Sequence, residues 1–236
     1  MKRIARFLWS GGRRVAEVSS VGPVRVVVFD FDGTLADTFQ TSWEILNSMA
    51  KDFKYRPLLA EEIDGARDLS TRGMIRLLGI PKRKLPAISR QGVRLLKECI
   101  HEIEPLPGIP EMLKNLNDRG LRMGVVTSNS VENVQAFAEN HDLEVFEFVR
   151  SSSRLGGKAR EIRKVMRRLG FRAADALYVG DETRDIEACR SAGIRCAAVT
   201  WGYNSQKALE AQRPHWMLER PEELVGLIET LEAKAE

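Results

Sequence analysis

The chain has 236 residues, 43% hydrophobic and 30% charged, with only 9 Pro and 18 Gly, a composition that excludes a disordered tract and a peptide-sized scaffold and fits one or two domains. Lys and Arg exceed Asp and Glu by 37 to 33, a net charge of +4 that suits an anionic ligand and falls short of a dedicated nucleic-acid binder. Cys99, Cys189 and Cys196 form no CxxC pair, which argues against a disulfide framework or a thiolate zinc site and for a reducing, cytoplasmic setting. No apolar run reaches the roughly 20 residues of a membrane span.

Residues 1–23 form a basic extension in which Lys2, Arg3, Arg6, Arg13 and Arg14 precede the first acid, Glu17. Phe7-Leu8-Trp9 is too short for the apolar centre of a signal peptide. Ile4, Phe7 and Leu8 share a helical face, so the extension reads as an arm packed on the core or as a weak interfacial anchor. From residue 24 onward, short apolar runs alternate with helix-periodic stretches, as in a parallel sheet covered by helices. The expected strands are Val24 to Phe29, Leu121 to Thr127, Val145 to Val149, Ala176 to Val179 and Ile194 to Val199. Their continuous apolarity predicts burial on both faces.

Residues 38–105 break this rhythm. Leu46, Met49, Ala50 and Phe53 make one helical stripe and Met74, Leu77 and Leu78 another, which predicts an all-helical insertion ending before Pro105-Leu106-Pro107-Gly108. The expected layout is a core of residues 24–37 and 106–236 and an inserted domain of residues 38–105. In the second part of the core, inward helical faces are expected at Ile109, Met112, Leu113 and Leu116. Further faces are expected at Val131, Val134, Phe137 and Ala138, and at Ile162, Val165, Met166 and Leu169. Gly120, Gly170 and Gly193 are placed to end helices with positive φ.

Candidate chemistry lies at strand ends. In Val28-Phe29-Asp30-Phe31-Asp32-Gly33-Thr34, residues i and i+2 of a strand share a face, so Asp30 and Asp32 point the same way. Two carboxylates so close require a cation or a proton between them. Gly33 lets the chain leave the strand and frees N–H groups for an anion. Thr127-Ser128-Asn129 closes the next strand with polar groups. Either Asn129 or Ser130 serves as a helix cap, which leaves Thr127 for a ligand. Leu155-Gly156-Gly157-Lys158 sets a cation at a helix start, where it opposes the helix dipole unless an anion is near. This is no P-loop, since Ser152 and Ala159 stand at motif positions. Gly180-Asp181-x3-Asp185 supplies two more acids at a helix start, and such an oxygen set favours Mg²⁺ over zinc.

Asp30-Phe31-Asp32-Gly33-Thr34, Thr127, Lys158 and Gly180-Asp181-x3-Asp185 resemble, in order and context, the four motifs of the haloacid dehalogenase superfamily, over residues 24 to 235. The helical insertion resembles the C1-cap subfamily that includes phosphoglycolate phosphatase-like enzymes. The resemblance implies an α/β fold, a Rossmann-like parallel sheet with helices on both faces, plus an inserted helical cap. It implies a Mg²⁺-dependent phosphatase acting on a small phosphomonoester, phosphoglycolate among the candidates. Asp30 would be the nucleophile that forms an aspartyl-phosphate, and Asp32 the acid and then base. Asp30, the backbone carbonyl of Asp32, Asp181 and Asp185 would hold the metal, and Thr127, Ser128, Lys158, Gly33 and Thr34 the phosphate. Ala159 and Arg160 stand where the phosphoglycolate phosphatase group commonly has prolines.

Arg67, Ser70, Thr71 and Arg72 are the polar turn of the insertion expected to reach substrate, with a solvated helix junction as the alternative. Trp43 is expected to pack within the insertion. Arg160, Arg163, Lys164, Arg167 and Arg168 oppose the apolar stripe of their helix and read as a solvated face. The expected partner is a small phosphorylated metabolite, with no nucleic acid and no integral membrane association, the chain being a monomer or a homodimer. Two rival readings are a catalytically silent binding protein of the same fold and a phosphosugar mutase. The mutase is disfavoured because no His occurs between Asp30 and His101.

Overall fold

Strand β2 (Val26–Phe29) is apolar at every position and buried at every position, and this double-sided burial places it mid-sheet. The computed structural model describes residues 13–14, 22–152 and 157–233. The arm's Ile4, Phe7 and Leu8 and the Leu155-Gly156 pair lie outside the described residues. The other strands are β1 (Arg13–Arg14), β3 (Arg122–Thr127), β4 (Phe148–Ser151), β5 (Ala176–Gly180), β6 (Arg195–Val199) and β7 (Trp216–Leu218). They form one sheet in the order β1-β7-β6-β5-β2-β3-β4. β2 to β7 run parallel, and β1 adds an antiparallel pairing of Arg13 with Met217 and Arg14 with Trp216.

The helices in chain order are α1 (Phe39–Ser48), α2 (Ala50–Phe53), α3 (Ile63–Arg67), α4 (Thr71–Leu77), α5 (Leu85–Cys99), α6 (Ile109–Asp118), α7 (Val131–Asn140), α8 (Lys158–Leu169), α9 (Thr183–Ala192), α10 (Gln206–Ala211) and α11 (Glu222–Glu232). Period-2 alternation divides the strand side chains between two cores. Val27, Phe29, Val125, Val179 and Val199 pack with α6, α7 and α11 on one face. Val28, Val126, Tyr178, Cys196 and Ala198 pack with α8, α9 and α10 on the other. The sheet is therefore covered on both faces, as expected. Gly120, Gly170 and Gly193 all take positive φ after helices.

Three local expectations shift. The strand expected over 145–149 lies at Phe148–Ser151, with Glu147 N–H bonded to Met123 O at its entry. α7 turns Asn133 inward and leaves Val131 half-buried, because Asn133 Nδ2 donates to Asn129 Oδ1 and to Val93 O. β7 is a strand the periodicity did not announce. Between β2 and α6 the regular elements from Phe39 to Glu102 are all helices, with their own apolar cluster of Met49, Tyr55, Leu58, Leu78, Ile80 and Ile88. Trp43 joins that cluster and donates from Nε1 to Leu58 O at 3.1 Å. Arg160, Arg163, Lys164, Arg167 and Arg168 are exposed.

Candidate active site

The carboxyl ends of β2, β3 and β5 and the first turns of α8 and α9 meet at one place, where ligands bind in open parallel sheets. Asp30 follows β2 with its carboxylate buried, and Oδ1 accepts from Phe31 N at 2.8 Å. Oδ2 accepts from Lys158 Nζ at 2.7 Å, and the same ammonium donates to Asp185 Oδ1 at 2.5 Å. The placement of Lys158 at a helix start, unfavourable toward the dipole, is thus balanced by two carboxylates. The ammonium also lies 5.5 Å from the Tyr178 ring centre, whose hydroxyl is anchored on Val126 O.

Asp181 closes β5. Its Oδ1 accepts from Thr34 Oγ1 at 2.6 Å and its Oδ2 from Tyr203 N at 2.7 Å. Asp185 accepts from Glu182 N at 3.0 Å, so it caps α9 while facing the cluster. One carboxylate oxygen from each of Asp30, Asp181 and Asp185 lies within 4.8 Å of the others, and all three residues are buried. The Asp32 carboxylate turns elsewhere, to Asn129 Nδ2 at 3.0 and 3.2 Å.

Electrostatics separates these acids. For Asp30, burial raises the pKa, but the charges of Lys158 and Arg184 and the bonds from Lys158 and Phe31 outweigh it and hold the carboxyl below its usual range. For Asp32, burial and the charge of Asp30 prevail over Asn129 and Arg184 and push it up to about 7. Burial, Glu182, Asp30 and Asp185 raise Asp181 well above the carboxylate range. Burial raises Asp185 too, against Lys158. For Lys158, the charges of Asp185 and Asp30 prevail over burial and raise its pKa. Three buried, converging carboxylates, one held ionised by Lys158 and two with pKa values raised by burial and by one another, form a hard oxygen donor set that fits a divalent cation such as Mg²⁺.

The phosphate-side residues are placed unevenly. Thr127 is fully buried at the end of β3, and its Oγ1 accepts from Asn129 N at 3.0 Å. Ser128 Oγ accepts from Arg184 Nη2 at 3.2 Å. The N–H groups of Gly33 and Thr34 close their own turn, on Ala36 O and Phe31 O, so the expectation that they lie free for an anion is corrected. Gly33 instead makes room. At φ +73°, a Cβ there would stand 2.5 Å from both Asp181 Oδ2 and the Tyr203 ring.

In the insertion, Arg67 Nη2 donates to Gly202 O at 2.8 Å, near the acids' loop, with its guanidinium 5.3 Å from the Phe39 ring centre. Ser70 caps α4 by accepting from Gly73 N. Thr71 is half-buried and Arg72 exposed, and neither bonds to the acid cluster among the described residues. Sequence reasoning did not single out Asn129 as a partner of Asp32, and passed over Arg184, Tyr203 and Asn204 entirely. Each is one polar residue whose partner is remote in sequence.

The haloacid dehalogenase-like hydrolase family matches residues 27–199. The chain belongs to this family. A phosphoglycolate phosphatase of Synechococcus elongatus is 34% identical over 209 residues, 88% of this chain and 99% of that one. Phosphoglycolate phosphatase 1 of Pseudomonas aeruginosa is 28% identical over 218 residues, 85% of this chain and 78% of that one. Among solved structures, a predicted phosphatase from Clostridium acetobutylicum has a TM-score of 0.76 at 20% identity, covering 89% of this chain and 100% of that one, a likeness of fold. Within this hydrolase family, the acid cluster is the candidate active site.

Proposed function

We propose that the chain is a phosphatase that hydrolyses a small phosphomonoester at Asp30. Relatives named as phosphoglycolate phosphatases support the reaction class and make 2-phosphoglycolate the first substrate to try. The observation that carries the reading is the convergence of Asp30, Asp181 and Asp185 with Lys158 at one buried strand-end site, next to which the Asp32 carboxylate is held by Asn129. A divalent cation held by Asp30, Asp181, Asp185 and the Asp32 carbonyl would screen the repulsion between phosphate and carboxylate.

Asp30, kept ionised by Lys158, attacks phosphorus as the ester oxygen leaves. Asp32 gives that oxygen its proton. The resulting aspartyl-phosphate is opened by water, whose proton returns to Asp32, and phosphate leaves. A carboxyl two residues beyond the nucleophile supplies a proton donor that an alkoxide leaving group needs and a halide does not. Lys158 and the hydroxyls of Thr127 and Ser128 hold the transferring oxygens. The helical segment 38–105 acts as a cap that keeps bulk water out during transfer.

The test is turnover of p-nitrophenyl phosphate and 2-phosphoglycolate with Mg²⁺ present. The expected result is hydrolysis that chelation abolishes and Mg²⁺ restores, and that Asp30→Asn lowers by at least about a thousandfold. Absence of turnover by the wild-type protein on any phosphomonoester, or full activity in Asp30→Asn, overturns the reading.

A further inference from the structure

We propose that Arg184 is a second anion-holding residue of this site, gripping the phosphoryl oxygens of the substrate beside Lys158; this rests on the phosphatase reading. Arg184 stands in the first turn of α9, between Asp181 and Asp185 in sequence, where a cation opposes the helix dipole. Its side chain spans from the end of β5 to the end of β3. Nε donates to Glu182 and Nη2 donates to Ser128 Oγ at 3.2 Å. Ser128 directly follows Thr127, so the guanidinium lies along the edge where the phosphate would sit.

The two cations of the site are held differently. Lys158 has 8% of its side chain exposed and already donates to Asp30 and Asp185, which leaves one of its three N–H donors. Arg184 keeps 34% of its side chain exposed. Among the described residues it engages two of five N–H donors, which leaves three for a ligand. A phosphoryl group presents three oxygens, and one ammonium donor cannot satisfy them. A planar guanidinium fork matches two oxygens at once. A pair with Glu182 alone, two residues away on the same turn, would not require the reach across to Ser128.

The charge of Arg184 also acts on Asp30, Asp32 and Asp185, which puts the guanidinium within electrostatic range of the reacting carboxylates. Glu182 holds Nε and Ser128 holds Nη2, which fixes the guanidinium between the ends of β5 and β3. The ligand class is therefore a phosphoryl dianion. The leaving group is not what Arg184 reads.

The experiment measures KM for p-nitrophenyl phosphate and 2-phosphoglycolate, and the competitive inhibition constant of inorganic phosphate, in wild type, Arg184→Gln and Arg184→Lys. In Arg184→Gln the inhibition constant is expected to rise roughly tenfold to a hundredfold, with KM rising by the same factor for both esters. Arg184→Lys, which keeps the charge without the fork, is expected to fall between, and it carries the test should the glutamine variant fail to fold. An unchanged phosphate inhibition constant in folded variants overturns the role of Arg184 while leaving the phosphatase reading standing. A loss confined to 2-phosphoglycolate reassigns Arg184 to the substrate carboxylate and equally overturns it. A wild-type protein without turnover removes the underlying reading instead.

Discussion

At Gly202 the backbone approaches Asp181 so closely that a Cβ would stand 2.3 Å from both Cβ and Oδ2 of that aspartate. Neither atom is the free end of a flexible chain, since Asp181 is held by Thr34 and Tyr203. Gly202→Ala must therefore displace either the loop or the carboxylate, and overpacking of this kind costs about 1–3 kcal/mol. The expected outcome is that loss in a urea titration together with weaker Mg²⁺ activation of turnover, read as a higher metal concentration at half-maximal rate. Gly65 gives the control. It lies in α3, where an added Cβ would meet nothing within 4 Å, and Gly65→Ala is expected to be neutral or stabilising by up to about 1 kcal/mol. Equal effects of the two substitutions would show that crowding of Asp181 is not the cause. The same crowding explains why Gly33 and Gly202 both border the acid cluster: the cluster is built by backbone that comes close.

The turn that feeds β5 is set by Asp175. Its Oδ2 accepts from Arg172 N at 2.9 Å, and Arg172 Nη2 reaches Oδ1 at 2.8 Å. Those bonds from Arg172 hold the Asp175 carboxyl below its ordinary value, against the effect of burial. A carboxyl with a lower pKa folded than unfolded stabilises the protein above the unfolded value near about 4, and that contribution disappears as pH falls through the folded value. Asp175→Ala is expected to lower stability at pH 7 by about 1–2 kcal/mol, and the gap to wild type is expected to narrow below about pH 4 in denaturant titrations. A gap independent of pH would assign the loss to packing alone.

Elements of this kind were legible to different degrees. β2, β3, β5 and β6 are runs of apolar residues buried on both sides, and continuous apolarity announces that. β7 has only three residues after Pro214 and His215, too short to carry a period, and it exists because β6 offers an edge. Asp30, Asp32, Asp181 and Asp185 were readable because acids end buried strands and repeat at short spacing. Asn129, Arg184 and Tyr203 were not, because each works on a partner that the chain brings near only by folding: Asn129 on Asp32, Arg184 on Ser128, and Tyr203 on Thr38 and Ser42.

At the scale of the molecule, the helical segment is fastened to the sheet domain through the loop after β6. Beside Arg67 on Gly202 and Tyr203 on Ser42, Asn204 bonds twice across to the segment. Its Oδ1 accepts from Thr183 N at 2.8 Å, its Nδ2 donates to Arg67 O and Leu69 O at 2.9 Å each, and its own N–H donates to Asp181 O at 3.3 Å. Ser205 and Lys207 add contacts to Asp68, and Ser205 N donates to Arg67 O. One 7% exposed side chain thus ties the segment over 67–69 to the loop that carries Asp181. Removing it in Asn204→Ala takes that partner from Thr183 N and Leu69 O, while Arg67 O keeps Ser205 N, and each lost group is worth about 1 kcal/mol when unsatisfied. The expected cost is about 2 kcal/mol, a fall in melting temperature of about 4–8 °C for a chain of this size. Hydrogen exchange is expected to quicken first at residues 63–70, ahead of the strands, because the segment loses its fastening while the sheet keeps its own core. If the helical segment covers the site as proposed, KM for a phosphomonoester is expected to rise more than kcat falls, since the acids stay in place while the segment is held less firmly. A uniform acceleration of exchange across both parts, with KM unchanged, would mean that Asn204 serves the stability of the whole fold and does not fasten one part to the other.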